Sequence, residues 1–106
     1  MNTGTVFRWD PAKEAQNIKK HKVDFGTALR TFADPFVVVE QDRIENGELR
    51  WQALGLVDGY LMLLVAYAYD DGDGDGESAG IVRIISARRA DRKERRRYDQ
   101  NRAAYG

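Results

Sequence analysis

The sequence contains no cysteine, only two prolines, a single histidine and no long hydrophobic run. Without cysteine the chain forms no disulfide, no thiolate metal site and no thiol nucleophile, which fits a reducing compartment. The longest nearly unbroken apolar run, Tyr60 to Tyr69, is far shorter than the roughly 20 residues that cross a bilayer. Met1–Asp10 lacks the apolar stretch of a signal peptide. We therefore expect a soluble, cytoplasmic protein without membrane association.

The charge is balanced over the whole chain but not along it. A length of 106 residues predicts one domain, residues 1–106, with one modest core. The net charge is 0, yet the window from Arg83 to Arg102 holds nine basic and three acidic residues, a local charge of +6. Just before it, Asp70–Glu77 holds five acidic residues and no basic one. An uneven charge distribution of this kind indicates what a protein binds rather than how it folds. The basic end therefore predicts binding to phosphate groups or to an acidic protein surface.

Three helices are predicted from capping signals. Asp10-Pro11 is typical of a helix start, and that helix should reach Lys20–His21 with Ala15 and Ile18 facing inward. Asp24 predicts the cap of a second helix to about residue 32, ended by Asp34-Pro35. The spacing of Asp91 and Glu94 matches a capping box and begins a last helix that runs to about residue 102.

The remaining apolar segments predict strands joined by short turns. Asn46-Gly47 and Asp58-Gly59 are turn signals between β-type runs, and the acidic, glycine-rich residues 70–80 read as a loop. We predict the element order β-α-α-β-β-β-β-α, in which the helices lie against an antiparallel sheet in an α+β arrangement. The predicted strands span residues 5–9, 36–40, 50–57, 60–69 and 81–86.

Several motifs resemble one known family. They are Phe7-Arg-Trp-Asp10, Asn17-Ile-Lys-Lys-His21, Phe25, Asp34-Pro35, Gly47-Glu-Leu-Arg50, Arg83-Ile-Ile-Ser-Ala-Arg-Arg-Ala90 and Arg92-Lys-Glu-Arg-Arg-Arg-Tyr98. This series resembles the BrnT toxin family over nearly the whole chain. The resemblance implies a RelE-like fold, RNA cleavage that blocks translation, and neutralisation by a BrnA-type antitoxin protein. In that family the antitoxin usually carries the DNA-binding domain, so contact with operator DNA would be indirect. Lys22 and Ile44 stand where the family usually has glycine and commonly histidine.

A ribonuclease that uses no metal or cofactor must activate the ribose 2′-hydroxyl, neutralise charge on the phosphate and protonate the leaving oxygen. Arginine suits the second task because its planar fork holds two phosphate oxygens. Arg83, Arg88 and Arg89 are the strongest candidates for this role; a solvated sheet edge and a cationic linker are the competing interpretation.

The last helix carries further candidates for RNA binding. Helical periodicity places Arg92, Arg95, Arg96 and Arg102 in one stripe and Arg97 elsewhere. These side chains either bind RNA or antitoxin, or form an ordinary solvated helix surface.

Three residues outside the basic window complete the set of candidates. His21, the only histidine, is suited to proton transfer near neutral pH, but at a helix C-terminus it is also simply stabilising. Lys20 lies about 100° around the helix from His21, so both reach one site only if the helix frays. Arg50 shares a strand face with Glu48 and lines either a catalytic surface or a cross-strand ion pair.

Two other function classes remain open. A binding module that docks the antitoxin or RNA with little cleavage is favoured by the substitutions at Lys22 and Ile44. A calcium adaptor is suggested by Asp71-Gly-Asp-Gly-Asp-Gly76, although an EF-hand loop starting there needs glutamate at the position of Val82.

Overall fold

A computed structural model describes residues 5–70 and 80–105 of the chain. The predicted order β-α-α-β-β-β-β-α is confirmed, with a short 3₁₀ turn, Arg30–Ala33, after the second helix. The predictions of an acidic loop and of a calcium site fall mainly on residues 71–79, which lie outside the described residues. The elements are β1 (Val6–Arg8), α1 (Pro11–His21), α2 (Phe25–Leu29), β2 (Val38–Glu45), β3 (Glu48–Val57), β4 (Leu61–Asp70), β5 (Ile81–Arg89) and α3 (Arg92–Tyr105).

The strands form one five-stranded sheet in the order β1-β5-β4-β3-β2. Strands β2 to β5 make the predicted antiparallel meander. The prediction of a purely antiparallel sheet is wrong in one respect, because β1 pairs with β5 in parallel, Val6 opposite Ile81 and Arg8 opposite Arg83. Since β4 occupies the other side of β5, β1 adds to the remaining edge and runs in the same direction as β5.

Two glycine turns set the register of the meander. Asn46 and Gly47 have φ of 54° and 78°, and Asp58 and Gly59 have φ of 55° and 80°. Positive φ at both central residues gives a turn whose twist matches that of the flanking strands. Both predicted turns are therefore present, and β5 continues to Arg89, past its predicted end at residue 86.

Helices cover the two faces of the sheet unequally. One face packs against α1 and α2 in a core that includes Phe25, Ala53, Leu63 and Ile84. The other face packs against α3 through a smaller cluster, Leu54, Met62, Leu64 and Tyr98. Because strand side chains alternate between faces, β3 residues 48, 50 and 52 lie on the α3 side. We call the part of this side that lies beyond the Tyr98 cluster, around Glu48, Arg50, Ala68 and Arg83, the open face. No helix in the described ranges is long and apolar enough to cross a membrane.

Helix α1 packs through a polar residue, contrary to the expectation from its apolar positions. Ile18 is 42% exposed and Ala15 is exposed, whereas Asn17 is 6% exposed. The Asn17 amide donates to the carbonyls of Ala87 (2.8 Å) and Val23 (2.9 Å), and its oxygen accepts from the Ala87 N–H (3.0 Å). Asn17 thus pairs with β5 as a strand would, just beyond the short β1. The inward face of α1 is polar because it meets backbone groups at a sheet edge.

Lys22 ends α1 in the left-handed conformation, with φ of 61° and ψ of 29°. A side chain with a Cβ is strained there, whereas glycine is not. We therefore expect Lys22→Gly to raise the free energy of unfolding by about 0.5–1 kcal/mol. Glycine also increases the entropy of the unfolded chain, which subtracts from this gain. Urea denaturation measures the change. The same substitution at Lys19, inside the helix, is the control and should destabilise; a Lys22→Gly protein that is clearly less stable would contradict the strain.

The carboxylate of Asp34 connects α3 to the sheet. It accepts hydrogen bonds from the Tyr98 hydroxyl (2.6 Å), the Leu56 N–H (2.7 Å) and the Phe36 N–H (2.9 Å). Burial alone would raise the pKa of Asp34, but these hydrogen bonds outweigh burial and lower it. Burial and the hydrogen bond to Asp34 raise the pKa of Tyr98 to about 12. The motif Asp34-Pro35 and the residue Tyr98 therefore act together to fix α3 on the sheet.

The raised pKa of Tyr98 gives the protein a defined alkaline limit. The unfolded phenol ionises near pH 10 while the folded one remains neutral to about pH 12, so stability present below pH 10 is lost as pH rises through this window. We expect Tyr98→Phe to be less stable than wild type at pH 8, because a buried hydrogen bond is lost, but to lose less stability between pH 9 and 11.5. Urea denaturation at the three pH values tests this. An equal alkaline loss in both proteins would contradict the assignment to Tyr98.

Candidate functional site

A row of arginines crosses the open face. The strand register places Arg8 beside Arg83, Arg83 beside Ala68, and Ala68 beside Arg50. Neighbouring strands are about 4.8 Å apart, so the backbones at Arg83 and Arg50 are separated by about 10 Å. The small Ala68 side chain lies between them and is buried. The structure therefore brings together two of the predicted catalytic residues, Arg50 and Arg83, and adds Arg8, which the sequence analysis did not single out.

Glu48 joins the two sides of this row. Its carboxylate accepts two hydrogen bonds from the Arg83 guanidinium, one of them 3.0 Å long, across the intervening strand β4. The hydrogen bond from Arg83 is the main cause that lowers the pKa of Glu48 and raises the pKa of Arg83. Both side chains remain partly accessible, 47% for Arg83 and 40% for Glu48. The pair is therefore ionised and open to exchange with an incoming anion.

Arg50 is held more deeply than Arg83. Its side chain is 15% exposed, and its closest carboxylate is that of Glu45, 3.6 Å away. Its Nε atom is buried and has no hydrogen-bond partner among residues 5–70 and 80–105. A buried donor without a partner carries a desolvation cost that a bound acceptor would remove. Arg50 thus keeps an unsatisfied donor beneath the open face, and the buried Nε atom of Arg97 is in the same state.

The next row on the open face carries no charged side chain at its centre. Ser86 lies beside Ala66, Ala66 beside Gln52, and Gln52 beside Glu40. From α3, Arg97 reaches to 3.5 Å from the Glu40 carboxylate. The sequence pattern separated Arg97 from the helix stripe, and in the structure Arg97 reaches the sheet at Glu40 while its side chain stays 41% exposed.

Arg88 forms an ion pair with Glu94 at the start of α3. It donates two hydrogen bonds of 2.9 Å to Glu94, whose carboxylate also accepts from the Asp91 N–H at 2.8 Å. The hydrogen bond from Arg88 is the main cause that lowers the pKa of Glu94, which is largely buried. The predicted capping box is present and Arg88 is bound into it, which fixes the N-terminus of α3 at the margin of the open face.

Lys20 and His21 lie beside the free edge of β5. They line a shallow hollow together with Lys13, Ile85 and Ser86, between the end of β1 and the contact of Asn17 with Ala87. Both residues line this hollow although the helix is continuous to His21, so no fraying is needed for them to reach it. In the described part of the chain, neither Lys20 nor His21 forms an ion pair with a carboxylate.

The hollow borders the open face. Ser86 belongs both to the lining of the hollow and to the second row of the open face. On β2, at the other edge of the sheet, Glu45 has a lowered pKa, mainly because of the hydrogen bond from Arg43 and next because of Arg50. The hollow and the open face therefore meet at Ser86 on β5.

The other arginines lie elsewhere. Arg89 is opposite Leu63, so its backbone position faces the α1 and α2 side rather than the open face. Arg92, Arg95 and Arg96 line a separate concavity on α3 with Asp99 and Gln100. Arg102 leaves the predicted stripe and stacks on the Phe36 ring, 5.2 Å from its centroid. The basic window therefore supplies two distinct surfaces rather than one.

Among the residues that the structure describes, no three histidine, aspartate or glutamate side chains are grouped closely enough to hold a metal ion. The charged groups that converge on the open face are guanidinium groups, which donate hydrogen bonds, and carboxylates, which accept them. Chemically, such a set can bind a phosphodiester and can accept or release a proton.

The fold and the site together define a class of protein: a small α+β protein with arginines along one face of its sheet. A solved structure has a similar fold. The fold is similar to the crystal structure of the Brucella abortus ribonuclease toxin BrnT, with a TM-score of 0.59, 22% sequence identity, and coverage of 85% of this chain and 100% of that one.

The family is established by sequence. The family model for the ribonuclease toxin BrnT of type II toxin–antitoxin systems matches residues 9–94, which include every element from α1 to β5 and the start of α3. The chain therefore belongs to the BrnT family of ribonuclease toxins. No curated protein matches the sequence.

Proposed function

We propose that this chain is a metal-independent endoribonuclease of the mRNA interferase kind, which cuts RNA, blocks translation and is silenced by a BrnA-type antitoxin. In this proposal residues 1–106 form one toxin domain that acts in the cytoplasm. The observation that carries the proposal is the pair Arg83 and Arg50, placed on either side of Ala68 on an open sheet face. Two guanidinium groups about 10 Å apart at the backbone can hold one phosphodiester between them.

The residues divide by role. Arg83 and Arg50 bind the phosphate that is attacked and stabilise its developing charge, since a guanidinium stays charged and offers paired donors. Lys20 and His21, beside Ser86 at the edge of β5, contact the next phosphate or supply the proton for the leaving oxygen. Arg88 positions α3 through Glu94 and lines the margin of the site.

A second group of residues adds affinity without chemistry. Arg92, Arg95 and Arg96 form no ion pair within residues 5–70 and 80–105, so their charge is free for a polyanion. Together with Arg89 they would hold RNA outside the reaction centre. Binding through phosphate contacts releases counterions, so affinity should fall steeply as salt rises.

The antitoxin is the expected protein partner. A type II system neutralises its toxin through a protein, and the family model describes such a system. We propose that a BrnA-type antitoxin covers the open face, and that operator DNA is contacted only through the antitoxin.

The test uses purified, antitoxin-free protein and total cellular RNA in excess EDTA. We expect fragments that end in a 2′,3′-cyclic phosphate, and arrest of growth and protein synthesis when the protein is induced in cells. Intact RNA together with normal growth would contradict the ribonuclease proposal.

One observation favours a second candidate function, a binding module with little cleavage. Arg83 and Arg88 are already paired with carboxylates in the free protein. The discriminating experiment compares induction of wild type with that of an Arg83→Ala/Arg88→Ala double variant. Normal growth with both would favour the binding module, whereas arrest by wild type alone supports the enzyme.

A further inference from the structure

One carboxylate stands between the two arginines of the open face. Glu48 precedes Arg50 by two residues on the same side of β3, and it reaches Arg83 across β4. We propose that Glu48 is the general base that removes the proton from the ribose 2′-hydroxyl. This inference rests on the ribonuclease function proposed above and names a residue for the step that the predicted candidates left unassigned.

In the free protein Arg83 already binds a group shaped like its proposed substrate. Its guanidinium holds both oxygens of the Glu48 carboxylate in a paired arrangement. A phosphodiester offers two oxygens in a similar geometry, so it can replace the carboxylate on the same fork. Because the pair is exposed, the exchange has a low energetic cost. Once displaced, the Glu48 carboxylate lies beside the bound phosphate without its two hydrogen bonds from Arg83, and Arg50 is the neighbouring cation that remains.

The position of the freed carboxylate suits the reaction. In RNA the 2′-hydroxyl is on the same ribose as the 3′-phosphate, so a base next to that phosphate is next to the proton it must remove. The bonding of Glu48 to Arg83 also lowers the pKa of Glu48, so the side chain arrives at the exchange without a proton. Arg83 therefore holds the base ready and releases it when substrate binds.

Other carboxylates on this side are less suitable. Glu94 is largely buried and bound by both Arg88 and the Asp91 N–H. Glu40 pairs with Arg97 in the next row, away from Arg83. Glu45 is bound by Arg43 at 2.8 Å, near the β2–β3 turn. Glu45 also lies 3.6 Å from Arg50, but Glu48 is the carboxylate in the described residues that Arg83 holds by two hydrogen bonds.

The Glu48 carboxylate takes the 2′-hydroxyl proton, the 2′-oxygen forms a bond to phosphorus, and the bond from phosphorus to the 5′-oxygen breaks. Arg83 and Arg50 face the charge that develops on the non-bridging oxygens. The leaving 5′-oxygen takes a proton from Lys20 or His21, or from water where these two residues only contact the next phosphate. The group that gave this proton regains one from Glu48 through solvent. The products are a 2′,3′-cyclic phosphate and a 5′-hydroxyl.

The test compares Glu48→Gln with Asp42→Asn, a matched exchange on β2 at a carboxylate 3.8 Å from Arg43 and outside the site. Single-turnover cleavage of an RNA oligomer should fall by about 10²–10⁴-fold in Glu48→Gln and stay within threefold of wild type in Asp42→Asn. Binding of a 2′-O-methyl form of the oligomer should be unchanged or tighter in Glu48→Gln, because Arg83 is released. Glu48→Asp should recover part of the rate and keep its fall at acid pH.

The outcomes separate this inference from the ribonuclease proposal. Wild type that cuts, with Glu48→Gln cutting within tenfold of it and with the same loss of rate at acid pH, would overturn the assignment of the base and leave the ribonuclease standing. Loss of RNA binding along with cleavage in Glu48→Gln would also overturn the assignment, because Glu48 would then act only by positioning Arg83. Wild type that cuts no RNA overturns the ribonuclease proposal itself.

Discussion

Replacing Arg83 by glutamine should lower the rate of RNA cleavage by about 10²–10³-fold, the usual effect of removing one donor that faces charge in a transition state. The fold should survive the change. Arg83 and Glu48 form an accessible ion pair, and such pairs contribute about 0–1 kcal/mol to stability. The measurement is single-turnover cleavage of a labelled oligomer, with urea denaturation to show that stability is retained.

The chain offers a matched control for this substitution. Arg30 forms an ion pair of 3.0 Å with Asp58 and is accessible to a similar extent. Asp58 lies in the turn after β3, eight residues from Arg50, which is roughly 25 Å along an extended strand. Arg30→Gln should therefore cleave within about twofold of wild type. Equal rates in both variants, whether both high or both low, would show that the open face is not the reaction centre.

Asn17→Ala should destabilise the protein by about 3–5 kcal/mol, the largest effect on stability that we expect from one polar side chain. The substitution leaves two buried carbonyls and one buried N–H without partners, and each such group costs about 1–3 kcal/mol. These groups belong to Ala87 and Val23, where α1 closes the edge of β5. Urea denaturation gives the free energy of unfolding directly.

Two further variants make the effect of Asn17 specific. Gln16→Ala, at the exposed neighbouring position, also replaces a side-chain amide by alanine, with a smaller gain in helix propensity, and should change stability by less than about 0.5 kcal/mol. Asn17→Asp keeps the shape but turns a donor into an acceptor that faces two carbonyls, so it should be nearly as unstable as Asn17→Ala. A loss below 1 kcal/mol in Asn17→Ala would contradict the strand-like role of this residue.

The parts of the fold that follow from local chemistry could be predicted from the sequence. Asp10, Asp24 and the Asp91–Glu94 pair each satisfy backbone donors within three residues, so their helix starts are visible in sequence. The two glycine turns are equally local, because positive φ is needed at adjacent positions. The alternation of side chains along a strand is local as well, and it puts Arg83 on the side opposite Val82 and Ile84, which are in the α1 and α2 core.

The parts that depend on distant partners could not be predicted. Asn17 reads as a surface residue until Ala87, 70 positions away, is seen to need a partner. The pairing of β1 with β5 and the bond between Asp34 and Tyr98 are equally distant in sequence. For the candidate site, the sequence singled out Arg50, Arg83, Lys20 and His21 as candidates and grouped Arg83 with Arg88 and Arg89. Strand register, which only the fold supplies, separates these groups and makes Glu48 a partner of Arg83.

We propose that RNA binds on the open face between β3 and β5. A map of the residues that respond to RNA tests this proposal directly. The measurement is a nuclear magnetic resonance titration of isotope-labelled protein with a 2′-O-methyl RNA oligomer that cannot be cut. We expect the amide signals of Arg50, Ala66, Ala68 and Arg83 to shift with RNA concentration, and Arg83→Gln to weaken the response. Shifts confined to the Arg92, Arg95 and Arg96 surface of α3, with the sheet signals unchanged, would contradict it.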